Sequence, residues 1–250
     1  MRLAVIGLGV VGRHMLADIE RAGLECLTYD VQGEGHATRA EINACDGAFV
    51  CVSTPESPYG SADLTAIQDV FSWLYVPVAI IRSTVPPGTT EFLHNAVFCP
   101  EFIGEGVNPP YLAMRQPPFV ILGGRPELRA KAVDVFARLY NSECELIQVD
   151  AVTAETAKYA ENYFLALKVT WANELYDICK AVGADFPQMM NAVTHDYRIG
   201  RSHTHVYPDR RGWSGRCLPK DTAALLARVG SDTAPLLAAV RIINTRHHNA

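Results

Sequence analysis

Short uninterrupted apolar runs alternate with stretches of helical spacing through the first 150 residues. Leu3-Ala4-Val5-Ile6 is partly β-branched and predicts a buried strand. From His14 to Ala22 the apolar positions Met15, Leu16 and Ile19 share one helical face, and Gly23 closes the helix. Leu24 to Tyr29 predicts a second strand. Further strands are expected at 47–52, 76–81, 97–99 and 119–122, with helices at 63–74 and 126–140 between them. Strand and helix in alternation predict a doubly wound parallel sheet, hence an α/β fold. The pattern then changes. Proline is absent from Ala151 to Asp185, and Ala154 to Val182 reads as one helix of about 30 residues ended by Gly183. Asp185 caps the next helix, Pro219 sits in the first turn of another, and Leu236 to Asn244 forms the last. The expected organisation is a Rossmann domain over 1–150 and an all-helical domain over 151–250.

Between the first strand and first helix stands Gly7-Leu8-Gly9-Val10-Val11-Gly12. Gly7 permits the tight turn, Gly9 admits a pyrophosphate to the backbone, and Gly12 lets helix and strand pack closely. The helix N-terminus offers N–H groups and a positive dipole end to phosphates. Asp30, 18 residues beyond Gly12, ends the second strand, where a carboxylate accepts hydrogen bonds from an adenosine ribose and repels a 2'-phosphate. Strand before, helix after and acid at that distance together predict NAD rather than NADP. Ligands of such sheets bind beyond the carboxyl ends of the strands, where Thr54, Ser83 and Thr84 lie.

The composition narrows the partners. A net charge of -5 argues against nucleic acid, and no apolar run is long enough to span a bilayer, so a cytoplasmic protein is expected. The seven cysteines contain no C-x-x-C pair, which argues against a zinc site and leaves no metal predicted. Most have apolar neighbours and read as buried, reduced thiols. Cys217 differs. It directly precedes the helix that contains Pro219, with Arg216 and Lys220 close in sequence and Asp221 one turn on. A helix N-terminus and nearby cations favour thiolate, so Cys217 is a candidate nucleophile. Between Tyr197 and Gly215 lies an irregular stretch with Arg198, Arg201, Arg210 and Arg211, suggestive of an anionic ligand. Lys158 and Asn162, four apart, share a helix face.

Taken in order, the segments resemble the UDP-glucose/GDP-mannose 6-dehydrogenase family. The resemblance runs through Gly7–Gly12, Ser53-Thr54-Pro55, Ser83-Thr84-Val85-Pro86 to Thr89, Pro100-Glu101-Phe102 with Glu105, Lys158 with Asn162, Arg198-Ile199-Gly200, and Gly212 to Asp221. Cys-Leu-Pro-Lys-Asp-Thr at 217–222 is its most specific piece. The resemblance implies oxidation of a sugar-nucleotide alcohol to a carboxylate with two NAD. It implies that Cys217 attacks the intermediate aldehyde and forms a thiohemiacetal, then a thioester that water hydrolyses. Asp221 would activate or position water, Lys158 and Asn162 would stabilise the oxyanion, and Glu101 would serve acid/base steps with Thr84 assisting. Thr54, Ser83, Thr84, Glu105 and Lys220 would line the NAD pocket. Glu101, Lys158, Asn162, Arg198, Gly212 and Trp213 would contact substrate, in part across a subunit interface.

The sequence departs from the family at several points. The resemblance stops near the end of the central helical region, so the family's C-terminal nucleotide-gripping domain is expected to be missing. The stretch from Asp30 to Ala48 is shorter than the family's, and Ser214 and Arg216 stand where it has a glycine and a small residue. The segment from Gly200 to Gly212 is slightly longer. Three readings stay open: a compact dehydrogenase for a sugar or nucleotide sugar, half of an enzyme completed by a separate chain, or an NAD binder without turnover. A simple hydroxyacid dehydrogenase would account for residues 1–170 but leave 212–222 unexplained. The long helix suggests a homodimer.

Overall fold

The computed structural model describes residues 1–33, 35–102 and 116–248. Its packing divides the chain into two compact units, residues 1–58 with 62–158 and residues 59–61 with 159–250.

The first unit is built on a seven-stranded sheet. In chain order it contains β1 (Arg2–Ile6), α1 (Val10–Arg21), β2 (Glu25–Tyr29), α2 (Arg39–Asn43), β3 (Gly47–Val50), α3 (Thr65–Trp73), β4 (Ala79–Ile81), β5 (Ala96–Phe98), β6 (Phe119–Gly123), α4 (Pro126–Leu139) and β7 (Glu145–Val149). The order across the sheet is β2-β1-β3-β4-β5-β6-β7. Both faces are covered. Leu3 and Val5 of β1 join the cluster under α1 and α4 with Met15, Ile19 and Phe136. Ala4 and Ile6 point the other way, to Ile42, Ile67 and Phe71 of α2 and α3. Successive side chains of a strand alternate faces, so a strand buried on both sides must be apolar throughout. That is why Leu3–Ile6 shows no polar alternation.

The doubly wound sheet is as expected, with one amendment. β6 pairs antiparallel with β5 at Phe98 and Gly123, while β6 and β7 run parallel through the α4 crossover. Apolar runs specify burial but not direction, so the reversal was invisible in the pattern. β7 and α2 were also unforeseen. Glu145-Leu-Ile-Gln-Val149 is an edge strand with polar residues at two of five positions. α2 is announced by a capping box: Thr38 accepts from the Glu41 N–H, and the Glu41 carboxylate accepts from the Thr38 N–H.

The helix α5 (Ala151–Val182) is 32 residues long. It begins at Ala151 rather than Ala154 because the Asp150 carboxylate accepts from the Thr153 N–H at 2.9 Å and the Thr153 hydroxyl at 2.6 Å. Gly183, at φ +77°, ends it. From Tyr159 on it belongs to the second unit, with α6 (Phe186–Val193), α7 (Leu218–Val229) and α8 (Pro235–His248). Asp185 caps α6 through the Gln188 N–H at 2.8 Å. The second unit's small core gathers Ala166, Trp213 and Val240, with Tyr163, Leu167 and Leu218 packed on it. Among the described residues no helix is long and apolar enough to cross a membrane.

Candidate active site

In the first unit the glycine turn leads directly into α1. Gly9 is the N-cap, and no side chain caps the helix. A Cβ built on Gly9 would meet nothing within 4 Å, so the space beside it is open to a bound group. At Gly12 the case is opposite, since a Cβ would lie 1.8 Å from the Gly7 carbonyl oxygen. Only glycine lets the first turn of α1 come that close to the strand end. Asp30 braces the loop: its Oδ2 accepts from the Leu8 N–H at 2.6 Å and its Oδ1 from the Gln32 N–H at 2.7 Å. Each carboxylate oxygen keeps a second lone pair for a ribose hydroxyl. Arg39, which could otherwise serve a 2'-phosphate, is tied up elsewhere. Its Nε donates to the Tyr29 hydroxyl at 3.2 Å, its guanidinium lies 4.8 Å from the Trp73 ring, and Asp69 faces it at 3.6 Å. An uncapped helix N-terminus, an open position at Gly9 and a braced acid fit a dinucleotide.

The strand-end hydroxyls cross-link their own loops. The Thr54 hydroxyl donates to the Thr84 carbonyl at 2.8 Å, and the Ser83 hydroxyl donates to the Val52 carbonyl at 2.6 Å. Glu101 pairs with Arg82, whose other terminal nitrogen lies 2.7 Å from the Cys99 sulfur. Arg82 and Glu101, with His14, Asp18 and Tyr140, line a cavity of about 20 Å³. Lys158 is buried, with its ammonium 4.7 Å from the centroid of the Phe102 ring. Glu105 lies outside the described residues.

The structure adds Glu155, which the sequence reading passed over. It is fully buried, and it accepts from the Gly88 N–H at 2.5 Å, the Thr90 N–H at 2.7 Å and the Thr90 hydroxyl at 2.6 Å. It therefore holds the loop that follows Thr84. Burial nonetheless pushes its carboxyl up, outweighing those hydrogen bonds. A signal was present: Glu155 stands three residues before Lys158 and seven before Asn162, on one helical stripe.

In the second unit Cys217 is the N-cap of α7, with Pro219 in the first turn. The Asp221 N–H donates to the Cys217 carbonyl at 2.9 Å, closing the turn. Asp221 is buried and accepts from the Asn162 side-chain amide at 2.5 Å and from the Lys220 ammonium. Thus Asn162, Lys220 and Asp221 form one hydrogen-bonded group, joined to Cys217 through the backbone of the first turn of α7. Two predicted substrate contacts look different in place. Trp213 is a core residue, 5% exposed, whose indole N–H donates to the Thr170 hydroxyl at 2.9 Å. Its side chain is buried in the core of the second unit. Arg198 sits in an exposed turn and pairs with Asp196 at 2.5 Å.

Burial acts on five of the other thiols. Burial pushes Cys26 up to about 12 and Cys99 up to about 11, and it raises Cys45, Cys51 and Cys144 as well. Cys217 is half-buried at a helix N-terminus, the setting that makes a thiol reactive.

Comparison with known proteins bears directly on these features. Residues 32–143 match the NAD binding domain of the UDP-glucose/GDP-mannose dehydrogenase family, and residues 152–246 match its central domain. A GDP-mannose 6-dehydrogenase of Pseudomonas syringae pv. syringae is 30% identical, over 98% of this chain and 68% of its own length. A UDP-glucose 6-dehydrogenase of Rickettsia typhi is 32% identical, over 72% of this chain and 44% of its own. The chain thus spans about half to two thirds of these relatives. A solved UDP-glucose dehydrogenase from Pyrobaculum islandicum superposes with a TM-score of 0.81 at 26% identity, covering 99% of this chain and 68% of that one.

Proposed function

Because the chain belongs to the UDP-glucose/GDP-mannose dehydrogenase family, we propose that it oxidises the primary alcohol of a sugar nucleotide to a carboxylate through a covalent adduct on Cys217. The observation that carries this reading is the group formed by Cys217, Asp221, Asn162 and Lys220 at the start of α7. Gly7 to Gly12 and Asp30 hold the dinucleotide, and Thr54, Ser83, Thr84 and Lys220 border it. When bound, NAD takes up a hydride in each of the two oxidations.

The chain's own residues do the rest. Cys217 thiolate attacks the aldehyde carbon, forming a C–S bond while the carbonyl electrons move to oxygen. Lys158 and the second Asn162 amide hydrogen stabilise that oxyanion. Loss of hydride from the adduct leaves a thioester on Cys217. Water then adds to the thioester, the C–S bond breaks, and the thiolate is restored with release of the carboxylate. Asp221 positions the water and Glu101 moves protons. Arg198 and the 212–216 turn contact the substrate, and a second copy of the chain packs along α5 as a homodimer. The dinucleotide domain extends to about residue 150 and the helical domain follows.

The test is NADH release by purified protein with a panel of UDP-sugars, GDP-sugars and free sugars. Two NADH per substrate, with acid formation lost in Cys217→Ser, is the expected result. Acid formation that survives Cys217→Ser removes the thioester route. NAD binding with no turnover on any substrate would instead favour a binder, or an enzyme completed by another chain.

A further inference from the structure

Cys217 lies in a short turn, and a turn is a poor platform for a nucleophile unless something fixes its ends. In the second unit both ends are fixed by one helix. On α8, Arg241 and Asn244 stand three residues apart and so share a face. Asn244 grips the turn four residues before the thiol: its Oδ1 accepts from the Trp213 N–H at 2.7 Å and its Nδ2 donates to the Trp213 carbonyl at 3.0 Å. Arg241 grips it two residues after: its Nη1 donates to the Pro219 carbonyl at 2.9 Å and to the Thr222 hydroxyl at 2.7 Å.

The hold on the upstream side is tight. Asn244 is 6% exposed, and a Cβ on Gly212, at φ +78°, would fall 2.5 Å from its Oδ1. Asn173 of α5 adds a brace, accepting from the Gly212 N–H at 3.1 Å and the Arg211 Nε at 2.7 Å. These bonds bracket residues 214–218 without touching the sulfur.

We propose that Arg241 and Asn244 are positioning residues for Cys217, with α8 setting where the thiol stands relative to the N-terminus of α7. The inference rests on the reading of Cys217 as the nucleophile. Its consequence is specific. A displaced Cys217 loses part of the α7 dipole, so both its rate and its pH midpoint of reaction change.

The experiment alkylates the full chain with iodoacetamide across a range of pH and follows Cys217 modification by mass spectrometry. Wild type, Arg241→Met, Arg241→Lys and Asn244→Ala are compared, each checked for native circular dichroism. Misplacement of a reacting group by ~1 Å is costly, so Arg241→Met and Asn244→Ala are expected to slow Cys217 at least about tenfold. The pH midpoint should rise in both, and Arg241→Lys should recover most of the rate. Equal rates and midpoints in wild type and the folded variants overturn the inference. If Asn244→Ala fails to fold, the Arg241→Met and Arg241→Lys pair decides it. A wild-type Cys217 no faster than free cysteine counts against the nucleophile itself; the ratio between variants and wild type still tests the clamp.

Discussion

The turn at Gly7–Gly12 and the turn at Gly212–Cys217 invite comparison, because each delivers a glycine-bearing loop to a helix N-terminus. They are held in different ways. In the first, the hydrogen bonds come from one neighbouring segment, with Asp30 bonding to Leu8 across 22 residues and the Gly7 N–H donating to the Tyr29 carbonyl, while Gly12 and the Cys51 backbone close on Gly7. In the second, Trp213 is held by Asn244 across 31 residues and by Thr170 across 43, Gly212 by Asn173 across 39, and Asp221 by Asn162 across 59. A phosphate is met by backbone N–H groups, which any chain supplies once it turns correctly. The turn that carries Cys217 is instead fixed by side chains, which only the assembled fold brings near.

The comparison can be broken first at its local half. Gly12→Val puts a branched side chain where even a Cβ has 1.8 Å. Titration calorimetry should show NAD binding reduced by more than about a hundredfold, with overpacking lowering stability by about 1–3 kcal/mol. Unchanged binding would show that the close approach is dispensable. A smaller effect is expected at Asp30. Asp30→Ser removes the carboxylate that repels a 2'-phosphate and weakens the Leu8 brace. The ratio of NADP to NAD affinities should rise about tenfold, a ΔΔG of about 1.4 kcal/mol. A ratio that does not move would place the discrimination elsewhere, with Arg39 and its aromatic partners the next residues to change.

The smallest effect concerns the long-range half. His247 is buried beside Arg211, at 3.4 Å, and Asp177, at 3.9 Å. Burial above all, and then Arg211, lowers its pKa below the ordinary value of 6.5. A folded-state pKa below the unfolded one means that the unfolded chain binds more protons in the interval between them. Stability is therefore full above the unfolded value and falls as pH drops from there through the folded one. Urea unfolding at about pH 7.5 and about pH 5.5 should show a loss of up to about 1 kcal/mol, diminished in His247→Gln. A flat profile would mean that the imidazole takes up its proton without cost, and that the Arg211 anchorage is looser than its distances imply.

The fold was legible in so far as it follows from burial and punctuation. Continuous apolar runs marked the strands buried on both faces, and Asp185, Pro219 and Gly183 marked helix boundaries. The reversal of β6 and the edge strand β7 were not legible, because direction and edge position depend on neighbours rather than on a strand's own residues. Within the candidate site, the sequence singled out Cys217, Asp221 and Asn162 by residue type and motif. It did not distinguish Trp213 as a core residue from Trp213 as a surface contact, since an aromatic beside glycine fits either. Asn244 was not legible because a lone polar residue in an amphipathic helix looks like any solvated one, and Glu155 was marked only by its stripe with Lys158 and Asn162.

By itself, then, the sequence determined the dinucleotide turn, its acid, the helical second half and the thiol ahead of α7. Each depends on local backbone conformation or on periodicity within one element. Only the tertiary structure decided that Asn162 of α5 reaches Asp221, that Glu155 ties down the loop after Thr84, and that α8 grips both sides of Cys217. Those contacts join positions far apart in the chain. Their hydrogen-bonding groups have no reason to meet until the apolar faces between them are packed, so the pattern of any single segment carries no record of them.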